Sequence, residues 1–262
     1  MALNPSIRDW KDKTVWIVGA SSGIGMALAQ ALAAAGARVI ASARREEALR
    51  SITPAPWKCL VCDVRSAQSI DTAISIMRNS SAVPDVVFWV AGVYHPMDSS
   101  ALNLDQVRET FEINTIAGYD GLQKTLNLWR DADKTSQSVR HWVWVSSVAG
   151  YRGLPQAAAY GASKAALTYL AEVNYLELKA KNIAVSVVCP GFVETRLTQK
   201  NDFKMPAIIT PEEAAKATLH GLAKGEFEIH YPKRFTRWLK LLRLLPYGLY
   251  FKIVGKAVPR TH

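Results

Sequence analysis

Short apolar runs alternate along this chain with longer stretches in which apolar residues recur every three or four positions. The short runs are residues 14–19 (TVWIVG), 38–42, 57–62, 85–90, 141–146 and 183–189, and 226–230 adds a last, shorter one. Their length and their content of Val, Ile and Trp predict buried strands. Helical spacing predicts helices over 23–35, 67–79, 104–130 and 156–181, with Gly36 placed to end the first in a left-handed conformation. Strands that are apolar at nearly every position, each followed by a helix, belong to a parallel sheet covered on both faces. Right-handed crossovers then give an α/β fold with a doubly wound, Rossmann-like sheet, whose ligands meet the carboxyl ends of the strands. Chemistry is therefore expected in the residues that follow each strand.

The 262 residues are 49% hydrophobic and 21% charged, with no fixed repeat or low-complexity stretch. This suits one globular domain, expected over residues 1–230, followed by an extension over 231–262. The formal charge of +10 is unevenly spread: from Lys224 to His262, nine lysines and arginines stand against two glutamates, a net of +7. The body is then near neutral, which argues against a nucleic-acid-binding surface. No window reaches the roughly 18 apolar residues of a membrane span, and the charged first residues form no signal core, so a cytoplasmic protein is expected. Three cysteines, Cys59, Cys62 and Cys189, are too few for a disulfide framework. Cys59 and Cys62 form a C-x-x-C string, but an offset of three in a strand sends the side chains to opposite faces. Reduced core thiols are expected there, not a redox or zinc site.

After the first strand comes Gly19-Ala20-Ser21-Ser22-Gly23-Ile24-Gly25. Glycines at these places allow a tight turn and close backbone approach to a pyrophosphate, and the next helix offers its N–H groups and dipole to the anion. The second strand ends on Ala43-Arg44-Arg45, where a carboxylate would bond an adenosine ribose. Arg44 can instead pair with a 2′-phosphate, so NADPH is favoured over NADH. The alternative is a solvated charge pair at a helix start. Asp63-Val64 follows the third strand and suits an adenine contact, while Ala91-Gly92 lets backbone pass close to the cofactor.

Tyr160 and Lys164 stand four apart in a predicted helix and so share a face. A free tyrosine, with a pKa of about 10, is a poor acid–base group near neutrality. A nearby ammonium is expected to lower that pKa towards a useful range. Ser147, at a strand end, can donate a hydrogen bond to the same substrate oxygen. These residues point to a nicotinamide-dependent oxidoreductase in which Tyr160 and Lys164 handle the proton that accompanies hydride transfer.

From about Lys13 to Gly225 the sequence resembles the short-chain dehydrogenase/reductase family. Gly19, Gly23 and Gly25 match its glycine turn, Asp63 its adenine contact, and Asn114, Ser147, Tyr160 and Lys164 its catalytic tetrad. Pro190, Gly191, Val193 and Thr195 match the segment that embraces the nicotinamide. The resemblance implies a seven-stranded sheet, a homodimer or higher homo-oligomer, and hydride transfer between nicotinamide C4 and a carbonyl or alcohol carbon. It implies that Tyr160 donates or accepts the proton and Lys164 binds the nicotinamide ribose and tunes Tyr160. Ser147 would hold the substrate oxygen, and Asn114 would fix a water in a proton relay. One departure stands out: where the family has Asn-Asn-Ala-Gly, this chain has Trp89-Val90-Ala91-Gly92, which suggests apolar packing.

Substrate contacts are expected from residues 93–97, 151–154 and 192–209. The last segment carries Phe192, Val193, Leu197, Phe203, Met205, Ile208 and Ile209, which suits an apolar carbonyl or alcohol substrate or a lid packed on its own protein. The segment 233–245 (KRFTRWLKLLRLL) has helical spacing that gathers Phe235, Trp238, Leu239, Leu242 and Leu245 on one face, with Arg237, Lys240 and Arg243 largely opposite. Such a basic amphipathic helix can lie on an anionic membrane surface, fold back over the cleft, or pair with a second subunit. The alternative to an enzyme is a nucleotide-binding regulator or membrane scaffold that keeps the fold without turnover.

Overall fold

A computed structural model describes residues 2–132, 139–200 and 205–257. Seven strands carry the fold: β1 (Thr14–Val18), β2 (Arg38–Ala43), β3 (Lys58–Val61), β4 (Val86–Trp89), β5 (Arg140–Val145), β6 (Ile183–Pro190) and β7 (Glu228–Tyr231). All neighbours pair in parallel, in the order β3-β2-β1-β4-β5-β6-β7. The chain thus winds outward one way from β1 and then returns to wind the other, so the direction reverses between β1 and β4. That reversal leaves a crevice at the carboxyl ends of the two strands.

The helices are α1 (Gly23–Ala34), α2 (Glu46–Arg50), α3 (Ala67–Asn79), α4 (Leu104–Phe111), α5 (Ala117–Ala132), α6 (Ala158–Leu178), α7 (Pro211–Ala223), α8 (Lys233–Arg243) and α9 (Tyr247–Val254). Alternate strand residues feed two separate cores, as a period of two requires. Trp16, Val18, Trp142 and Trp144 face one side with Ile70, Leu122 and Leu167 of α3, α5 and α6. Val15, Ile17, Val143 and Val145 face the other with Leu28, Leu49 and Leu222 of α1, α2 and α7. The same alternation separates the C-x-x-C pair: Cys62 belongs to the first core, while Cys59 lies partly buried against the second. All three cysteines are free thiols, and of these Cys62 and Cys189 are buried.

The expected helix over 104–130 is α4 and α5 joined by a π-helical turn, Glu112–Ile116. Trp89 explains how the departure at β4 is absorbed. Its ring stacks on Trp142 at 5.7 Å and meets Trp16 edge-on at 6.2 Å. Gly118 and Gly121 on α5 make room for the indoles: a Cβ on Gly121 would stand 2.2 Å from Trp89, and one on Gly118 2.7 Å from Trp144. The apolar packing suggested by the sequence is therefore what the strand adopts.

α7 was hidden from hydrophobic periodicity, yet its start is signalled by Thr210-Pro211-Glu212-Glu213. Thr210 Oγ1 accepts from Glu213 N (3.2 Å) and Glu213 Oε2 accepts from Thr210 N (2.9 Å), a capping box with proline at the first helical position. The segment after β7 folds back on the body as α8 and α9. Here the expected apolar face of α8 divides: Phe235 and Leu239 pack against the first core and Thr236 is fully buried, whereas Trp238 points outward. Lys240, expected on the polar side, instead reaches Glu228 at 2.6 Å. No helix of the described residues is long and apolar enough to cross a membrane.

Candidate active site

The turn after β1 lies at the point where the sheet reverses. Gly19 has φ +95°, and a Cβ there would come within 2.7 Å of Ala91 N, so both the conformation and the approach of the β4 loop require glycine. Gly25 packs so closely that a Cβ would meet Gly19 O at 2.2 Å, which keeps α1 tight on the turn. Gly23, at φ +54°, faces Thr195 Cγ2 at 2.8 Å from a built Cβ. Ser22 makes no side-chain cap and the first turn of α1 has no acidic side chain, an arrangement that suits a bound anion.

A cavity of ≈ 430 Å³ runs from this turn to Tyr160. Gly19, Ser21, Ser22, Gly23 and Ile24 line one part, with Arg44, Asp63, Val64, Ala91 and Gly92 beside them. Ser147, Tyr160, Lys164, Pro190, Gly191, Val193 and Thr195 complete the wall. Two residues expected at the site stand behind it: Gly25 packs against the turn, and Asn114 bonds to Val93, which lines the cavity, and to Ser163. Arg45, Ser146, Arg196 and Thr198 also line the cavity without having been singled out, although residues 196 and 198 fall in the segment 192–209 expected to contact substrate. Arg45 could have been found, since it adjoins Arg44. Arg196 and Thr198 lie on a loop after β6, where no spacing rule says which side chains turn inward.

Asp63 is not open to solvent alone: its carboxylate accepts from Arg65 Nη2 at 2.6 Å, and that partner holds it below the usual carboxylate range. Asn114 sits in the π-helical turn and is fully buried. Its Oδ1 accepts from Val93 N (2.7 Å), and its Nδ2 donates to Val93 O and Ser163 Oγ (both 3.0 Å). A Cβ on Gly92 would lie 3.2 Å from Asn114 Oδ1 and 3.4 Å from Lys164 Nζ, so the two side chains converge on that glycine from different helices. The extra residue of a π turn is a common device for aiming one side chain at a site.

Ser147 caps a short 3₁₀ turn, Val148–Gly150, with its Oγ accepting from Ala149 N at 3.1 Å. Lys164 is buried and donates to Val145 O at 2.9 Å, with its Nζ 5.8 Å from the centre of the Tyr160 ring. Burial lowers its pKa to about 8. Burial pushes Tyr160 up to about 12; the Ser147 hydroxyl beside it opposes this, and Tyr94 adds to it. The expected lowering of the Tyr160 pKa is therefore corrected. The dry pocket penalises the phenolate more than its surroundings favour it, and the lysine is turned to a carbonyl. The pocket keeps the phenol protonated at neutral pH.

On the substrate side, Tyr94 meets Tyr160 edge-on at 4.9 Å, and His95 holds its loop through Glu109 at 3.0 Å. Leu197 and Val193 line the cavity, and Phe192 lies 5.6 Å from Phe235 of α8. Of the expected apolar segment, Phe203 lies outside the described residues.

The glycine turn, the open start of α1 and the Gly92 cradle, along one cavity that reaches Tyr160, fit a nicotinamide dinucleotide. The chain resembles known proteins in sequence and in fold. The family model for short chain dehydrogenase matches residues 13–205. A Myxococcus xanthus protein described as an uncharacterized oxidoreductase is 30% identical over 244 residues, covering 91% of this chain and 94% of that one. The Drosophila melanogaster dehydrogenase/reductase SDR family protein 7-like is 28% identical and covers 93% of this chain and 80% of its own length. A crystal structure of a short chain dehydrogenase from Burkholderia cenocepacia in complex with NADP superposes with TM-score 0.81 at 22% identity, over 94% of this chain and 99% of that one.

Proposed function

The chain belongs to the short-chain dehydrogenase family and is a nicotinamide-dependent oxidoreductase, and from that premise we propose that it interconverts a carbonyl and an alcohol on an apolar substrate, preferring NADPH. The observation that carries this reading is the convergence of Ser147, Tyr160 and Lys164 on one cavity that begins at the glycine turn. The nicotinamide, when bound, supplies or accepts the hydride. Ser147 holds the substrate oxygen, and Tyr160, protonated at neutral pH, gives its proton to that oxygen during reduction. An alcohol is a weaker acid than a phenol, so the transfer runs downhill even with the phenol pKa raised. The Lys164 ammonium, with its Nζ 5.8 Å from the centre of that ring, then offsets the charge of the phenolate. Asn114 acts by fixing Val93 and Ser163 around that lysine.

Arg44 and Arg45, side by side at the end of β2, support the NADPH preference, because a 2′-phosphate there meets two guanidinium groups. Substitution Arg44→Ala is expected to raise the KM for NADPH about tenfold and leave that for NADH little changed. Equal use of both cofactors by the unaltered enzyme contradicts the preference. For the reaction, purified protein is mixed with NADPH and a panel of apolar ketones and aldehydes, and loss of the reduced nicotinamide's near-ultraviolet absorbance is followed. Tight NADPH binding with no turnover across the panel would point to a scaffold; Trp89 gives that reading no support, since the core absorbs it. The exposed Tyr119 on α5 and Tyr169 and Leu176 on α6 favour a homodimer formed through these helices. Light scattering tests this, with Leu176→Glu expected to give a monomer.

A further inference from the structure

The outward side of α8 and α9 concentrates exposed apolar side chains as nothing else on the described surface does. Trp238 and Leu241 on α8 and Leu244 at its C-cap, spaced three apart, are 68%, 56% and 80% exposed. Tyr247 and Phe251, one turn apart on α9, stack on each other at 5.6 Å and are also exposed. Arg234, Arg237, Lys252 and Lys256 are exposed around them. No Asp or Glu follows Glu228 in the sequence, and the two nearest acids are already engaged, Glu226 by Lys233 and Glu228 by Lys240.

This face is fixed to the body. Phe235 packs so near Gly191 that a Cβ on that glycine would lie 3.1 Å away. Arg152 donates to the terminal carbonyls of α8, Leu242 O at 3.0 Å and Leu245 O at 2.7 Å, where a cation also suits the helix dipole. The same guanidinium lies 4.0 Å from the centre of the Tyr250 ring, and Tyr250 Oη donates to Gly153 O at 2.6 Å. The inner side of α8 is thus already satisfied, and its remaining apolar residues are held outward.

The geometry points to a docking face for an anionic lipid surface, made by the outward sides of α8 and α9. Trp238, Leu241, Leu244 and Phe251 enter the interface, and the arginines and lysines meet headgroup phosphates. A second copy of the chain is the poorer occupant: an isologous contact sets the same cations against each other, with no unengaged acid in the patch to meet them. Because the inner side of α8 abuts Gly191 and Phe192, docking holds that end of the cavity at the membrane surface.

The test is co-sedimentation of the full chain with vesicles of phosphatidylcholine mixed with phosphatidylglycerol, and with phosphatidylcholine alone, and it is independent of turnover. Binding is expected to the anionic vesicles and to be about tenfold or more weaker to the neutral ones, with added salt reducing it. Leu241→Ser with Leu244→Ser should abolish it, and Arg234→Gln with Arg237→Gln should weaken it about tenfold, without change in the thermal melt. Failure to bind anionic vesicles at low salt overturns the proposal. So does unchanged binding by both double variants. A shift from dimer to monomer in the leucine variant, with no vesicle binding by the parent, assigns the face to a second copy instead.

Discussion

Tyr160 and Lys164 lie one turn apart on α6, and burial acts on both by disfavouring charge, raising the phenol to about 12 and lowering the ammonium to about 8. The lysine is therefore the group that titrates within a usable range. Its charge is present below pH 8 and lost above it, whereas the phenol stays protonated throughout. The kcat/KM for carbonyl reduction should hold level below about pH 8 and fall about tenfold per pH unit above it, as a single ionisation in the free enzyme requires. A pH profile flat to well above that point would remove Lys164 from the charge relay. That Tyr160, Lys164 and Ser147 line one cavity was legible, because a helix fixes the first pair's spacing and a strand end places the third. The direction of the tyrosine's shift was not, because it depends on how dry the pocket is and on the Val145 carbonyl that accepts a hydrogen bond from the lysine.

Among the elements, the strands were read with errors of a residue or two, because a buried parallel strand is apolar along its whole length. The π-helical turn at Asn114 left no trace in the periodicity, since one extra residue shifts the helical phase only slightly. Apolar periodicity does not show α7, although Thr210 and Glu213 announce its start, since its buried residues Ala214, Ala215, Thr218 and Gly221 are small and give a weak apolar signal. The fit of α5 to the sheet rests on glycines meeting indoles, which gives an element-scale prediction. Gly121→Ala places a methyl in the Trp89 ring and should lower stability by about 2 kcal/mol, read from urea denaturation. Gly153→Ala, where a Cβ meets nothing within 4 Å, is the matched control and should change little. Equal stability of the two variants would mean that α5 can move away from the tryptophans.

For the molecule as a whole, the reversal of winding between β1 and β4 brings residues from the ends of six strands, β1 to β6, to one cavity, which the strand–helix alternation foretold. The course of the last 30 or so residues was not foretold, because an amphipathic pattern does not say which surface it meets. Here Arg152, Glu228 and the Phe192 ring decide it. Stability carries its own pH signature through His141, buried on β5 with its Nε2 3.0 Å from Ser186 Oγ. Burial lowers its pKa from 6.5 to about 4, so between those values the unfolded chain binds the extra proton and the folded one does not. Its contribution is intact above pH 6.5 and is lost as pH falls, by about 1.4 kcal/mol per unit across that window. His141→Gln should flatten this part of the stability profile; an unchanged slope would assign it to other groups.

The central claim is that Tyr160 supplies the proton while other residues hold the cofactor. The direct measurement compares Tyr160→Phe with the unaltered protein for NADPH binding and for turnover of a carbonyl that the panel identifies. The account predicts binding within about threefold and turnover reduced by about a hundredfold or more, the scale of one lost general acid. Turnover that survives the loss of this hydroxyl would contradict it.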